Sequence, residues 1–173
     1  MHNLENLPNL WTLLQEIFKA INAGSEIPTG LSLMLMVMLT IHGMFVLFLT
    51  ISFHRIVEKF LKPKSIFLAA FFYFIAINLI FMSHFVDMLV WTYTTLYIGA
   101  INEPISAFYF VGEMYTTLGF GQFNVSPGWR ILPIIISIGG IFSASISAAA
   151  LYSMLNALIS RSKAMPLKNG EGF

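Results

Sequence analysis

Residues 31–53 contain no charged side chain and a single histidine, His42. A stretch of that length matches the roughly 20 apolar residues needed to cross a ~30 Å hydrocarbon core. Two further runs repeat the pattern. From Ser65 to about Ala100 the only formal charge is Asp87, and at 1.5 Å per residue this segment makes roughly 50 Å of helix. That exceeds one membrane thickness, so the helix must tilt, bend or project past the headgroups. The third run, Ile131 to Ile159, leads into Arg161 and Lys163. With 57% hydrophobic and 10% charged residues, the chain carries more apolar surface than a soluble domain of this size could cover. The expected fold class is therefore all-α transmembrane.

What lies between the runs sets the orientation. His54 to Lys64 holds Arg55, Glu58, Lys59, Lys62, Pro63 and Lys64, a basic turn in which proline stops the helix. Arg161, Lys163 and Lys168 follow the third run, whereas only Lys19 and Arg130 lie elsewhere. The positive-inside rule then places the 54–64 loop and the carboxyl tail in the cytoplasm and the amino terminus outside. Trp91, Tyr93 and Tyr97 are the aromatics expected where the second helix leaves the hydrocarbon on the outer side. Near the amino terminus Leu7, Leu10, Trp11, Leu14, Ile17, Phe18 and Ile21 recur at helical spacing. They predict an amphipathic helix that lies on the outer interface or packs on the protein's own surface. The first 28 residues lack the basic start and compact apolar core of a signal peptide. The net charge of +1, with its basic residues scattered, excludes nucleic-acid binding, and the absence of cysteine removes disulfides and thiolate metal sites.

A break at Asn102-Glu103-Pro104 opens a segment, Ile105 to Tyr115, half as long as a span, as a re-entrant helix would be. It leads into Thr116-Thr117-Leu118-Gly119-Phe120-Gly121 and then the turn signal Ser126-Pro127-Gly128. Non-helical backbone at membrane depth is tolerated only where it is buried in protein or lines a wet cavity. A strand whose carbonyls all face one axis needs backbone alternating in hand, and Gly119 and Gly121 supply two such positions. The scarcity of charged side chains there favours coordination by carbonyl oxygen.

Thr117-Leu118-Gly119-Phe120-Gly121 is similar to the Thr-Val-Gly-Tyr-Gly selectivity filter of potassium channels, and Ala107 to Thr116 resembles the pore helix of small bacterial two-span channels. The resemblance covers roughly Pro104 to Ser160. It implies four parts: an interfacial segment over 1–28, an additional first span and loop over 29–64, a pore domain over 65–160 and a short cytoplasmic tail over 161–173. It also implies a homotetramer in a bacterial inner membrane, surrounded by lipid and open to other membrane proteins as partners. The permeant ligand would be potassium, with no cofactor and no enzymatic step. Carried over by position, the carbonyls of Thr117, Leu118, Gly119 and Phe120 would replace the hydration shell of the ion. Glu113 would sit behind the filter, Tyr109, Phe110 and Thr116 would support it, and Gly140 would be a hinge in the last helix. Ala144, Ala148 and Tyr152 would line a cavity beneath. Two positions depart from the family: Phe120 lacks the tyrosine hydroxyl, and Gln122 stands where an acid adds charge at the outer mouth. The competing expectations are a non-conducting channel-like subunit and a weakly selective cation channel.

Other residues carry their own expectations. Gly139, Ser143 and Ser147 belong to a small-residue run that suits close helix packing. Asn78 is expected to bond between helices. His84 and Asp87 lie three apart on one helix face and could form a proton-sensing pair, or a hydrogen-bonded anchor near the outer interface. A third competing expectation is a metal-dependent transporter or intramembrane enzyme that uses His42, His54 and His84, although no His-x-x-x-His or repeated carboxylate spacing supports it. No span repeats arginine, so a voltage sensor is not expected, and the tail is too short for a ligand-binding domain.

Overall fold

The computed structural model describes residues 9–22, 27–59, 66–121, 123, 125 and 127–163. Gln122, Leu7, the loop residues Lys62 to Lys64, Ser126 and the tail beyond 163 lie outside them. Five α-helices follow in chain order: α1 Leu10–Asn22, α2 Ile27–Lys59, α3 Ile66–Tyr97, α4 Pro104–Tyr115 and α5 Leu132–Lys163, with a 3-10 turn Pro127–Trp129 before the last. No strand occurs among the described residues. Within α2, α3 and α5, Thr29–Glu58, Ile66–Tyr97 and Leu132–Ser162 are each long and apolar enough to cross a membrane. The chain is a multi-pass membrane protein, and the three apolar runs mark its spans.

The additional first span is not peripheral. α2 packs most extensively on α5, and α4 is held between α3 and α5. Arg161, near the end of α5, donates to the Val57 carbonyl near the end of α2, so the basic ends of these two helices lie together. Pro133, the second residue of α5, costs the helix little because the first-turn N–H groups have no intrahelical acceptor.

Two apolar cores divide the bundle. One joins Val46, Phe53, Val57, Ala69, Ala76, Ile80, Met154 and Leu158. The other joins Leu31, Trp91, Phe110, Val111, Tyr115, Leu132, Ile135 and Ile136. Trp91 is thus 1% exposed, in the second core rather than at the interface, whereas Tyr93 and Tyr97 are exposed. Asn78 bonds the Phe74 carbonyl of its own helix. The interhelical bond expected of it is replaced by the back-bond that a short polar side chain makes to the preceding turn. Leu10, Trp11 and Leu14 of α1 are exposed, so these apolar residues do not pack on the protein's own surface. Asn9 caps this helix by accepting from Thr12 N–H at 2.8 Å.

Candidate functional site

α4 begins because Glu103, in extended conformation, caps it and Pro104 pre-sets the first helical φ. The Glu103 carboxylate accepts from the N–H groups of Ile105 and Ser106. Bonds from the Ser106 side chain and then from these two N–H groups hold the exposed carboxyl below its usual pKa range. The helix buries Ala107, Phe110, Val111 and Tyr115, a stripe at helical spacing, so its carboxyl end is fixed by the core.

Past that end the backbone turns sharply into a strand-like segment. Thr117 N–H donates to Met114 O at 3.1 Å and Leu118 N–H to Glu113 O at 2.9 Å. Thr116 closes the helix through its N–H and its hydroxyl, both bonded to Gly112 O, and Ser137 of α5 donates to Met114 O. The segment then alternates in hand: φ is +61° at Thr117, +57° at Gly119 and +72° at Gly121, with no positive φ at Leu118 or Phe120. Alternation of this kind turns successive carbonyls toward one side. Thr117 is the only non-glycine described residue with positive φ, a conformation that costs of order 1–3 kcal/mol and persists where the surroundings impose it. Thr116 to Gly121 are all exposed in the single chain, Leu118 and Phe120 by more than half of their surface.

The supporting residues divide. Phe110 is buried and its ring meets Phe123, just beyond the segment, edge to face at 6.0 Å. Tyr109 is exposed. Glu113 is half-buried, and its buried Oε2 has no hydrogen-bond partner among the described residues. Gly140 has a packing role that the sequence did not disclose. A Cβ there would lie 1.9 Å from the Tyr115 carbonyl oxygen, so α5 and the end of α4 meet only because this residue has no side chain. Ser143 and Ser147 are buried, as close packing predicts, whereas Ala144, Ala148 and Tyr152 lie on an exposed face of α5.

Between the two cores lies a polar cluster. His84 Nδ1 is 2.9 Å from the Tyr115 hydroxyl, which donates to Asp87 Oδ2 at 2.9 Å. His84 and Asp87 are therefore joined through the residue that ends α4. His42 joins from α2, with Nδ1 2.8 Å from Asp87 Oδ2 and Nε2 3.1 Å from Ser147 Oγ. His42 and Ser147 fall near the middles of their spans, so the cluster sits at mid-depth rather than near the outer interface. His54 stays apart, bonded within its own helix to Thr50 O. Sequence spacing missed His42, Tyr115 and Ser147 as members of this cluster. The one available signal was that His42 is the sole ionisable residue of its run.

No protein-family model, curated protein or solved structure matches this chain.

Proposed function

We propose that the chain is one protomer of a cyclic homotetrameric cation channel, selective for potassium, whose ions pass between the backbone carbonyls of Thr117 to Gly121. The observation that carries this reading is the alternation of left-handed backbone at Thr117, Gly119 and Gly121. It occurs in an exposed segment hung from a half-length helix between two spans. Irregular backbone of this sort survives in a bilayer only against protein or water. A ring of copies around an axis provides both, and carbonyl oxygens aimed at that axis can replace the hydration shell of a cation.

The remaining geometry fits that role. α4 becomes the re-entrant pore helix, and its carboxyl end, which carries the negative pole of the helix dipole, lies where the permeating ion enters the filter. Glu113 O, which accepts from Leu118, anchors the filter to that helix. Phe110 braces its far side through Phe123. Ala144 and Ala148, small and exposed on α5, leave room for water beneath the filter, with Tyr152 one turn further on. In this arrangement the protein is a passive conductor in a plasma membrane, with the joined ends of α2 and α5 on the cytoplasmic side.

Native mass spectrometry of the purified protein tests the assembly. Four chains are expected, and a stable monomer or dimer as the largest species would overturn the ring.

A further inference from the structure

The geometry points to a transition-metal site of the zinc class, formed by His42, His84 and Asp87 at the centre of the bundle. One ligand atom from each of these residues lies within 4.8 Å of the other two, although they come from helices α2 and α3 and are up to 45 positions apart in the chain. His42 is 2% exposed, and its environment is what singles out a cation. The ring is oriented by Ser147 at Nε2, which leaves Nδ1 facing Asp87. Nδ1 approaches Oδ2 to 2.8 Å and yet forms no hydrogen bond. The contact is at ion-pair distance but lacks hydrogen-bond alignment, so both atoms keep a lone pair that a shared cation could use. A hydrogen bond from the other ring nitrogen of a ligating histidine is also the usual outer support of a metal site.

The donor set selects the ion. Two imidazoles and one carboxylate suit zinc and its first-row neighbours, whereas magnesium and calcium prefer oxygen alone. With tetrahedral metal–ligand bonds of about 2.0–2.2 Å, ligand atoms stand roughly 3.3–3.6 Å apart, so a pair at the 4.8 Å limit has to close by about 1.2–1.5 Å, a movement within the reach of side-chain torsions. Three protein ligands leave a fourth position for water or for the Tyr115 hydroxyl, which already touches His84 and Asp87.

Clefts flank the cluster on two sides. Asp87 and His42 border a cleft of about 320 Å³ with Ile41 and Val86. His84 and Tyr115 border another of about 390 Å³ that reaches Thr116 and Thr117. The site is independent of the channel reading, since it needs only the folded bundle.

Zinc alone is the probe. The full-length protein is stripped with chelator in detergent, equilibrated with micromolar zinc and measured by elemental analysis after gel filtration. One zinc per chain is expected. Ser147→Ala, which removes an outer support, should weaken binding by about 10–100-fold, and Asp87→Asn and His84→Gln, which remove ligands, each by more than that. His2→Ala and His54→Ala should leave binding unchanged. No zinc on the unaltered protein, or undiminished zinc on folded Asp87→Asn and His84→Gln, would overturn the site. Cobalt on the unaltered protein supplies a readout that no variant's folding can compromise. Visible absorption of four-coordinate cobalt with nitrogen and oxygen donors is expected, and the spectrum of aqueous cobalt contradicts the site.

Discussion

Gly140→Ala should be among the most damaging single-methyl changes in this protein. The added Cβ would stand 1.9 Å from Tyr115 O, 2.8 Å from Tyr115 C and 3.1 Å from its Cα. All three are backbone atoms at the carboxyl end of α4, where Thr116, Thr117 and Ser137 hold the neighbouring carbonyls by hydrogen bonds. No side-chain rotation relieves the clash, so α5 must move away from α4. Overpacking costs typically 1–3 kcal/mol, and a collision with fixed backbone belongs at about 3 kcal/mol. Replacing a helical glycine by alanine returns about 1 kcal/mol of propensity, which leaves a net loss of about 2 kcal/mol. Gly139→Ala supplies the internal comparison, because its Cβ would meet the terminal Leu35 Cδ1 at 3.0 Å. That methyl can swing aside, so the variant should stay within about 1 kcal/mol of the parent. Denaturation of the detergent-solubilised protein with sodium dodecyl sulfate, followed by circular dichroism, measures both variants. Equal stabilities for Gly139→Ala and Gly140→Ala would refute the close approach of α5 to Tyr115.

Gly119→Ala places a Cβ on backbone with φ +57°, a left-handed conformation costing about 1–2 kcal/mol for an L-residue. Ion flux is expected to collapse while the helical circular dichroism spectrum is retained, and unchanged flux would contradict the role given to this carbonyl. Met154→Ala empties a fully buried position in the core that joins α2, α3 and α5. A loss of about 2 kcal/mol is expected, at the low end for such deletions because lipid removes the hydrophobic part and leaves packing. The same denaturation assay reads it, and a neutral result would contradict the packing. The Glu103 cap should be sensitive to acid. Its folded carboxyl pKa is lowered, so its contribution is complete above the ordinary carboxylate pKa and is lost as pH falls through the lowered value. Ile105 and Ser106 amides should therefore lose hydrogen-exchange protection in acid, after correction for intrinsic rates, and Glu103→Gln should abolish that pH dependence.

The spans are legible in the sequence because charge is too costly in hydrocarbon to be scattered, so the charge-free 31–53 run by itself locates α2. Its limits are less so. α2 continues to Lys59, since a helix does not stop where the hydrocarbon does and a headgroup layer tolerates charged residues such as Arg55 and Glu58. The start of α4 is readable from Glu103-Pro104, where cap chemistry is local. Three-dimensional neighbours are not. Which face of α2 meets α3 depends on tilt and rotation, and composition fixes neither. The meeting of His42 with Asp87 therefore leaves no trace in spacing. Gly140 illustrates the same limit: its glycine is conspicuous, but the Tyr115 carbonyl that requires it lies 25 positions away. For Trp91 the interfacial preference of tryptophan is outweighed by a vacancy beside Gly139, whose Cβ position lies 3.6 Å from Trp91 Nε1.

The most direct measurement is cation flux into liposomes that contain only the purified protein, with potassium compared against sodium. Potassium flux well above sodium, lost in Gly119→Ala, is the predicted result. No flux of either ion through the intact assembly would contradict a conducting carbonyl pathway, and equal flux of both would contradict potassium selectivity.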